Sequence, residues 1–369
     1  MTAKRQRVLF LFPFPTLAGS GGVQRVFSLL FHNLDHERFE LHLALLQATR
    51  NKEDEIPGVT IHNLEFSRVR YAMPGLVRLV RNLKPDTIFS NIGHINLAVL
   101  LCRPFFPRST RVVIGESTSL TVYLRQATRR PQIWIALHRW LYKHADKVIC
   151  LSETMKKELA EQFSVPAEKL VRIYNPLDVE MIRTQAELGG SPFTGPGPHL
   201  VAASRFFREK GNDLLLDAMP RVLAAFPQAR LTLLGDGPLE GELKAQAQKL
   251  QIDPAVTFAG SQPNPWRYFR HAALVIVPSR VDGLPYVPLE ALAVSTRVVA
   301  TDCPGAIREI MDHDWISLVP PENPVALAAA IVSALKQTRV DRERSPQLGQ
   351  FNLKRIVEQY GSLLEGNKN

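Results

Sequence analysis

Cysteine is scarce. The 369 residues hold three, Cys102, Cys150 and Cys303, and none stands in a Cys-x-x-Cys or other metal-ligand spacing. No disulfide framework is expected, and a reducing cytoplasm fits best. Long apolar runs are missing as well. The start, KRQR followed by VLFLFPFPTLAG, imitates the basic and apolar parts of a secretory signal, but Pro13 and Pro15 interrupt it and no small-x-small cleavage site follows cleanly. Val8 to Phe12 suffices for a buried first strand and is read as one. The next apolar run, Ile92 to Leu101, carries His94 and Asn96 and falls short of the ~20 residues a membrane span needs.

Acidic residues are thin in the first half. Residues 1–180 contain 25 Lys and Arg against 16 Asp and Glu, so +9 of the net charge of +10 lies there. Basicity is densest from Arg103 to Lys147, where nine cations face only Glu116 and Asp146. Within that stretch LRQATRRPQIWIALHRWLYKHA mixes Arg and Lys with Trp134, Trp140 and Tyr142. Such a mixture suits peripheral contact with an anionic membrane surface at the inner face of the cytoplasmic membrane. A solvated helix face with core aromatics is the ordinary alternative, and nucleic acid is a third reading, not expected here.

A chain of this length calls for two domains. Short apolar strands are read at Val8 to Phe12, Glu40 to Leu46, Val59 to Leu64, Thr87 to Ser90, Arg111 to Ile114 and Lys147 to Leu151. Helical patterns start between them at Val23, Pro74, Ile95, Gln132 and Glu153. The Gly- and Pro-dense ELGGSPFTGPGPHL, residues 187–200, reads as a linker. Strand and helix then alternate again, from HLVAAS through RLTLLG and VTFAG to AALVIVPS and RVVAT, and a tail with amphipathic spacing closes the chain. The pattern predicts an α/β protein of two Rossmann-like, doubly wound parallel-sheet domains, residues 1–188 and 189–350, with a final helix in 351–369.

The densest candidate site is VPSRVDGLPYVPLEALAVSTRVVATD. A strand, a loop with Asp282 and Gly283, a helix with Pro288 in its first turn and Glu290 behind it, and a second strand form a βαβ unit, whose ligands bind beyond the strands' carboxyl ends. Carboxylates there can accept hydrogen bonds from sugar hydroxyls, and the helix start suits an anion such as a diphosphate. The ordinary readings are a turn Asp and a solvated helix Glu. Three further pieces point to a phosphate-bearing ligand between the domains. GSGGVQR (residues 19–25) opens a helix after the first strand. SRFFREKG brings Arg205 and Lys210 to the end of the second domain's first strand, and LLGDGPLE leads a later strand into a helix. Each alone could be a connection or a pair of solvated cations. None is a G-x-G-x-x-G fingerprint or a P-loop, which weighs against dinucleotide and ATP readings.

In order and spacing, GGVQR, SRFFREKG, GDGPLE, FAG, PSRVDGLPYVPLEALA and VVATDCPGAIREI resemble the retaining nucleotide-sugar glycosyltransferases of family 4, over nearly the whole chain. The resemblance implies the GT-B fold with an interdomain cleft, and a final helix returning to the first domain. It implies transfer of a hexosyl unit from a nucleotide sugar, in the first place a UDP-sugar. With the basic aromatic patch, which carries the lipid part of the reading, the acceptor expected is a lipid-linked or lipopolysaccharide glycan of a bacterial-type surface polysaccharide.

By the same resemblance, Gly21 and Gly22 meet the donor phosphates from the first domain, and Arg205 and Lys210 bind the diphosphate. Glu290 holds the ribose and Asp282 the transferred sugar, with the backbone of Gly283, Leu284 and Tyr286 facing them. Gly260, Ser261 and Gln262 lie near the base. Two departures stand out. Asp282 replaces the family's Glu, and IGES stands where many relatives carry His, so Glu116 and His94 become the catalytic candidates of the first domain. No cofactor or metal is expected. Asp312-His313-Asp314 imitates a metal-binding triplet but reads as a loop, as does Glu53-Asp54-Glu55. A nucleotide-sugar epimerase of the same fold and a non-catalytic nucleotide-sugar binder are the alternatives.

Overall fold

The computed structural model describes residues 4–13, 22–46, 56–64, 69–310, 314–337 and 348–366. Gly21, the triplet Glu53-Asp54-Glu55, Asp312 and His313 lie outside them. The chain divides into two compact units, Met1–Pro176 with Leu353–Asn369, and Leu177–Asn352.

The first unit runs β1 (Gln6–Phe12), α1 (Gly22–Asn33), β2 (Phe39–Leu45), β3 (Val59–Asn63), α2 (Val69–Leu83), β4 (Thr87–Ser90), α3 (Gly93–Cys102), β5 (Arg111–Glu116), α4 (Leu120–Ala127), α5 (Pro131–Tyr142), β6 (Lys147–Cys150), α6 (Glu153–Phe163) and β7 (Leu170–Arg172). The second runs α7 (Val179–Glu187), β8 (His199–Ala203), α8 (Asn212–Ala225), β9 (Arg230–Leu234), α9 (Glu240–Lys249), β10 (Val256–Phe258), α10 (Pro265–His271), β11 (Leu274–Val277), α11 (Tyr286–Ala293), β12 (Val298–Thr301), β13 (Ile316–Val319) and α12 (Pro324–Lys336). The closing helix α13 (Leu353–Glu365) belongs to the first unit.

Both sheets are parallel. Their strand orders are β3-β2-β1-β4-β5-β6-β7 and β10-β9-β8-β11-β12-β13, each reversing direction beside its first strand, as doubly wound sheets do. In the first sheet β1 pairs with β2 from Gln6↔Phe39 to Phe12↔Leu45 and with β4 from Val8↔Thr87 to Leu11↔Ser90. Buried on both faces, these strands consist of near-continuous apolar residues. Phe10 and Phe12 share a face two residues apart and meet Phe27 and Phe31 of α1, with ring centroids 4.8–5.7 Å from each other. Phe89 of β4 joins Phe10 and touches Tyr360 of α13. The last turn of α13 is tied down by Thr87 Oγ1, which donates to Leu364 O at 2.9 Å, and by Arg38, which reaches Glu365 at 2.8 Å and Glu358 at 3.1 Å.

In the second unit Leu200, Leu231, Leu233, Leu274, Ile276 and Val299 of the sheet pack with Leu215, Met219 and Val222 of α8 and Leu327 and Ile331 of α12. Helix starts carry their own signals. Ser152, Asp178, Asn264 and Asn323 accept from the third residue onward in α6, α7, α10 and α12, and Pro opens α5, α10 and α12.

Several boundaries differ from the sequence reading. The division falls at 176/177 rather than 188/189, because α7 packs on its own sheet's helices. Arg183 Nε donates to Ala293 O at 2.9 Å, Asn264 Nδ2 to Gln185 O at 2.6 Å, and Arg267 Nε to Gly190 O at 2.7 Å. Helix α2 begins at Val69, five residues before Pro74, which therefore sits inside it without an N–H to donate. Strand β5 runs on to Glu116, two residues past Ile114.

Candidate active site

The second sheet reverses between β8 and β11, so ligands are expected off the carboxyl ends of these two strands. After β8 the chain forms a single 3-10 turn, Arg208–Lys210, and enters α8 through Gly211 at φ +68°. That conformation is left-handed, and a Cβ at Gly211 would stand 2.0 Å from the carbonyl oxygen of Pro278. Only glycine lets this turn lie against the loop after β11. The reverse contact comes from Gly305, at φ +142°, where a Cβ would strike the carbonyl of Asp282. Backbone bonds complete the clamp: Asp282 N donates to Pro304 O at 3.2 Å and Ala306 N to Gly283 O at 2.7 Å.

These constraints bring Lys210 and Asp282 together. Lys210 Nζ lies 2.6 Å from Asp282 Oδ2, with 22% and 19% of the two side chains exposed. The structure thus joins a residue expected at the diphosphate to one expected at the sugar. Arg205 extends from the same loop, exposed, its guanidinium 5.0 Å over the ring of Phe207. Gly260 reaches the cluster through its carbonyl, which accepts Gly235 N at 2.8 Å. Phe206 N donates to Asp236 O at 2.6 Å, so the β8, β9 and β10 loops are one hydrogen-bonded group. Ser261 is exposed, and Gln262 Nε2 turns back to Ala259 O at 2.5 Å.

Helix α11 starts at Tyr286 without a side-chain cap, its dipole's positive end beside Gly283 and Leu284, both buried. Glu290 is 4% exposed, so the ordinary reading of a solvated helix Glu does not hold. YVPLEALA is apolar nearly all round, which marks a buried helix and could have signalled this.

One organising residue escaped the sequence reading. Arg280, with 10% of its side chain exposed, makes a bidentate pair with Asp213 at 2.7 Å for both bonds and reaches Glu322 Oε1 from Nε at 2.5 Å. Its Nη1 also donates to Arg208 O at 2.7 Å and its backbone N to Glu209 O at 2.8 Å. Arg280 therefore holds the turn that presents Lys210. Burial alone would raise the pKa of Asp213; the hydrogen bonds and charge of Arg280 outweigh it and leave that pKa lowered. Cys303, buried close to Asp282, has its thiol pushed up to about 11, by burial first and by the Asp282 charge next, so it stays neutral.

In the first unit the sheet reverses between β1 and β4. Gly22 is exposed as the first residue of α1. Glu116 ends β5 and is buried, accepting on Oε1 from Tyr142 Oη and from Asn96 Nδ2 at 2.9 Å. Asn96 is fixed in turn by Ser90 Oγ at 2.6 Å and by donating to Gly115 O at 2.8 Å. Burial lifts the Glu116 pKa to about 7, although the Tyr142 and Asn96 bonds pull the other way. Tyr142, buried beside it, is raised well above its ordinary range. His94 is exposed in the first turn of α3, and no hydrogen bond links it to Glu116 among the described residues. Neither Asn96 nor Tyr142 was singled out from sequence as a partner of Glu116; only the fold brings three helix and strand ends together. No cluster of three or more metal-ligating side chains occurs among the described residues.

What this arrangement offers chemically is a loop carrying two cations, a half-buried acid beside it and a helix start in the second unit, with a buried acid of raised pKa in the first. Comparison with known proteins bears on the family. A family model described as "Glycosyltransferase Family 4" matches residues 20–181, and one described as "Glycosyl transferases group 1" matches residues 197–337. The chain is 30% identical over 312 residues to the N-acetylgalactosamine-N,N'-diacetylbacillosaminyl-diphospho-undecaprenol 4-alpha-N-acetylgalactosaminyltransferase of Campylobacter jejuni, covering 82% of this chain and 83% of that one. It is 23% identical over 300 residues to the amylovoran biosynthesis glycosyltransferase AmsD of Erwinia amylovora, covering 81% and 82%. Among solved structures, HepE of Anabaena in complex with UDP and glucose superposes with a TM-score of 0.76 at 18% identity, over 98% of this chain and all of that one. Sucrose-phosphate synthase of Thermosynechococcus elongatus gives 0.80 at 19% identity, over 98% of both.

Proposed function

Because the chain belongs to the glycosyltransferases of GT-B fold, we propose that it moves a hexosyl unit from a UDP-sugar to a lipid-linked or lipopolysaccharide glycan, with retention at the anomeric carbon. The Campylobacter relative is named for a diphospho-undecaprenol-linked acceptor and the HepE structure for UDP and glucose, which supports this acceptor and donor. The observation that carries the reading is the meeting of Lys210 and Asp282 at the β8/β11 reversal, where a diphosphate and its sugar would be recognised side by side.

In this reading the acceptor hydroxyl oxygen forms a bond to the anomeric carbon on the leaving-group face. The bond from that carbon to the diphosphate breaks, and the acceptor's proton passes to the departing phosphate oxygen. Arg205, Lys210 and the start of α11 stabilise the negative charge left on the diphosphate. Asp282 accepts from the sugar, Glu290 from the ribose, and Gly260 to Gln262 border the base. In the first unit Glu116 and His94 are the candidate catalytic groups, and Gly22 opens α1. Neither a metal nor a cofactor enters this scheme.

Peripheral membrane contact belongs to the same proposal. Ile133, Trp134 and Trp140 of α5 are 58%, 41% and 54% exposed, and Arg125, Arg129, Arg130 and Arg139 beside them are exposed as well. Tyr142, grouped with them by sequence, is instead wholly buried against Glu116. Among the described residues no helix is long and apolar enough to cross a membrane.

The experiment is transfer of labelled sugar from UDP-sugars to bacterial membrane extracts, with mass spectrometry of the glycolipid product. Arg205→Ala with Lys210→Ala should abolish transfer while the chain stays folded; full activity in that variant would remove the phosphate assignment. Free sugar or an epimer formed without acceptor would favour epimerase chemistry. Salt-sensitive binding to anionic vesicles, weakened by Trp134→Ala with Trp140→Ala, tests the membrane face.

A further inference from the structure

Both partners of the Lys210–Asp282 pair have their backbones pinned. Arg280 holds the turn before Lys210 through Arg208 O and Glu209 O, and Gly211 seats that turn against Pro278. Pro304 O, Ala306 N and the close approach of Gly305 fix Asp282 and Gly283. The two side chains, by contrast, hold one another by a single bond of 2.6 Å, at a place about one-fifth exposed. A lysine ammonium is a point charge on a flexible stem and can change partner without any backbone movement.

We propose that this ion pair is a latch that makes sugar recognition conditional on the diphosphate. The inference rests on the donor reading above. A diphosphate carries more charge than a carboxylate and draws Lys210 away, and Asp282 is then left with acceptor capacity that sugar hydroxyls satisfy. A complete donor meets both demands at once. The nucleoside diphosphate product meets only the first: it leaves Asp282 unpaired beside its own phosphates, so the Lys210–Asp282 bond re-forms and the product is released. Asp282 thereby sets the preference for donor over product.

The test is calorimetric titration of UDP, inorganic pyrophosphate and the UDP-sugar into the full chain and its variants. In Asp282→Asn, Lys210 no longer has to leave a carboxylate, so UDP and pyrophosphate should bind about five- to tenfold tighter than to the wild type while transfer falls. Lys210→Met should weaken both anions, and adding Asp282→Asn to it should gain less than the same change gains in the wild type, because only the repulsion between an unpaired carboxylate and the phosphates is then relieved. Asp282→Ser repeats the measurement with a smaller uncharged side chain should the Asn variant not fold. If the wild type binds UDP or pyrophosphate and the uncharged variants bind them no tighter, the latch is overturned and the donor reading stands. If the wild type binds neither UDP, pyrophosphate nor the UDP-sugar, the donor reading falls and the latch falls with it.

Discussion

Replacing Arg280 by Ala removes the residue that ties the 208–210 turn to the loop after β11. The loss comprises two bonds to Asp213 at 2.7 Å, one to the carbonyl of Arg208 at 2.7 Å and the contact with Glu322. Glu322 is 59% exposed and returns to water at little cost, whereas Asp213, at 31%, is left partly buried without its cation. Breaking a fully buried pair costs about 3–5 kcal/mol; with Asp213 a third exposed, about 2–3 kcal/mol is expected here. Amide exchange in the segment Ser204 to Leu216 should then quicken by about 30- to 150-fold, read by hydrogen-exchange mass spectrometry. UDP affinity should fall with it.

Arg280→Lys keeps the charge but not the planar fork, so it should recover less than half of the loss. The pH dependence has a definite sign. The folded pKa of Asp213 is depressed, so the stability it contributes is present above its unfolded value and is lost as pH falls through the folded one. The gap between wild type and Arg280→Ala should therefore narrow below pH about 4. Unchanged exchange in this segment, with unchanged UDP affinity, would refute the role assigned to Arg280.

Glu116→Gln should remove a pH dependence of the opposite sign. The folded pKa of Glu116 is raised from 4.5 to about 7, so its contribution is complete below 4.5 and fades as pH rises through 7, by about 3 kcal/mol at most. Denaturant midpoints of the two proteins should diverge accordingly between pH 5 and 8. Gly211→Ala should destabilise the second unit by about 2 kcal/mol or more and weaken UDP binding. Gly211→Asn should do no better in thermal unfolding, because Asn tolerates the left-handed backbone but not the 2.0 Å approach to Pro278 O. Arg38→Ala should cost about 1 kcal/mol or less, its partners being well exposed, and should show mainly as faster exchange at the end of α13.

The parts of the fold legible in sequence were those whose signal is local. Val8 to Phe12, Thr87 to Ser90 and Leu274 to Val277 are short apolar runs with turn residues beside them, and a strand buried on both faces needs no more than that. Three residues, Leu170–Arg172, are too few for β7 to show a period, and β13 and α12 lie beyond the last motif. Composition puts the domain boundary in the Gly- and Pro-rich stretch. The spacing of α7, however, does not say which sheet it covers, and the helix packs on α10 and α11. The hydrophobic spacing of α13 is visible, whereas the Arg38 and Thr87 contacts that fix it on the first unit span 277 to 327 residues.

The same division holds within the site. Arg205, Lys210, Asp282 and Glu290 stand out by residue type and by their place after strands. What each does in the folded chain depends on partners that sequence distance conceals: Asp213 lies 67 residues from Arg280, and Asp282 lies 72 from Lys210. Sequence alone presented Asp282 as a family carboxylate shortened by one methylene, a departure that could have meant a shifted sugar contact and nothing else. The structure gives this acid a partner. With both backbones held by glycine-tight contacts, Asp282 reaches the lysine assigned to the diphosphate, so under the latch proposal this residue bears on phosphate recognition as much as on the sugar. Asp282→Glu therefore separates two accounts of the residue. A change confined to the preference among donor sugars would keep it a sugar contact, whereas a change in the affinity for UDP itself follows only if the acid and Lys210 act as a pair.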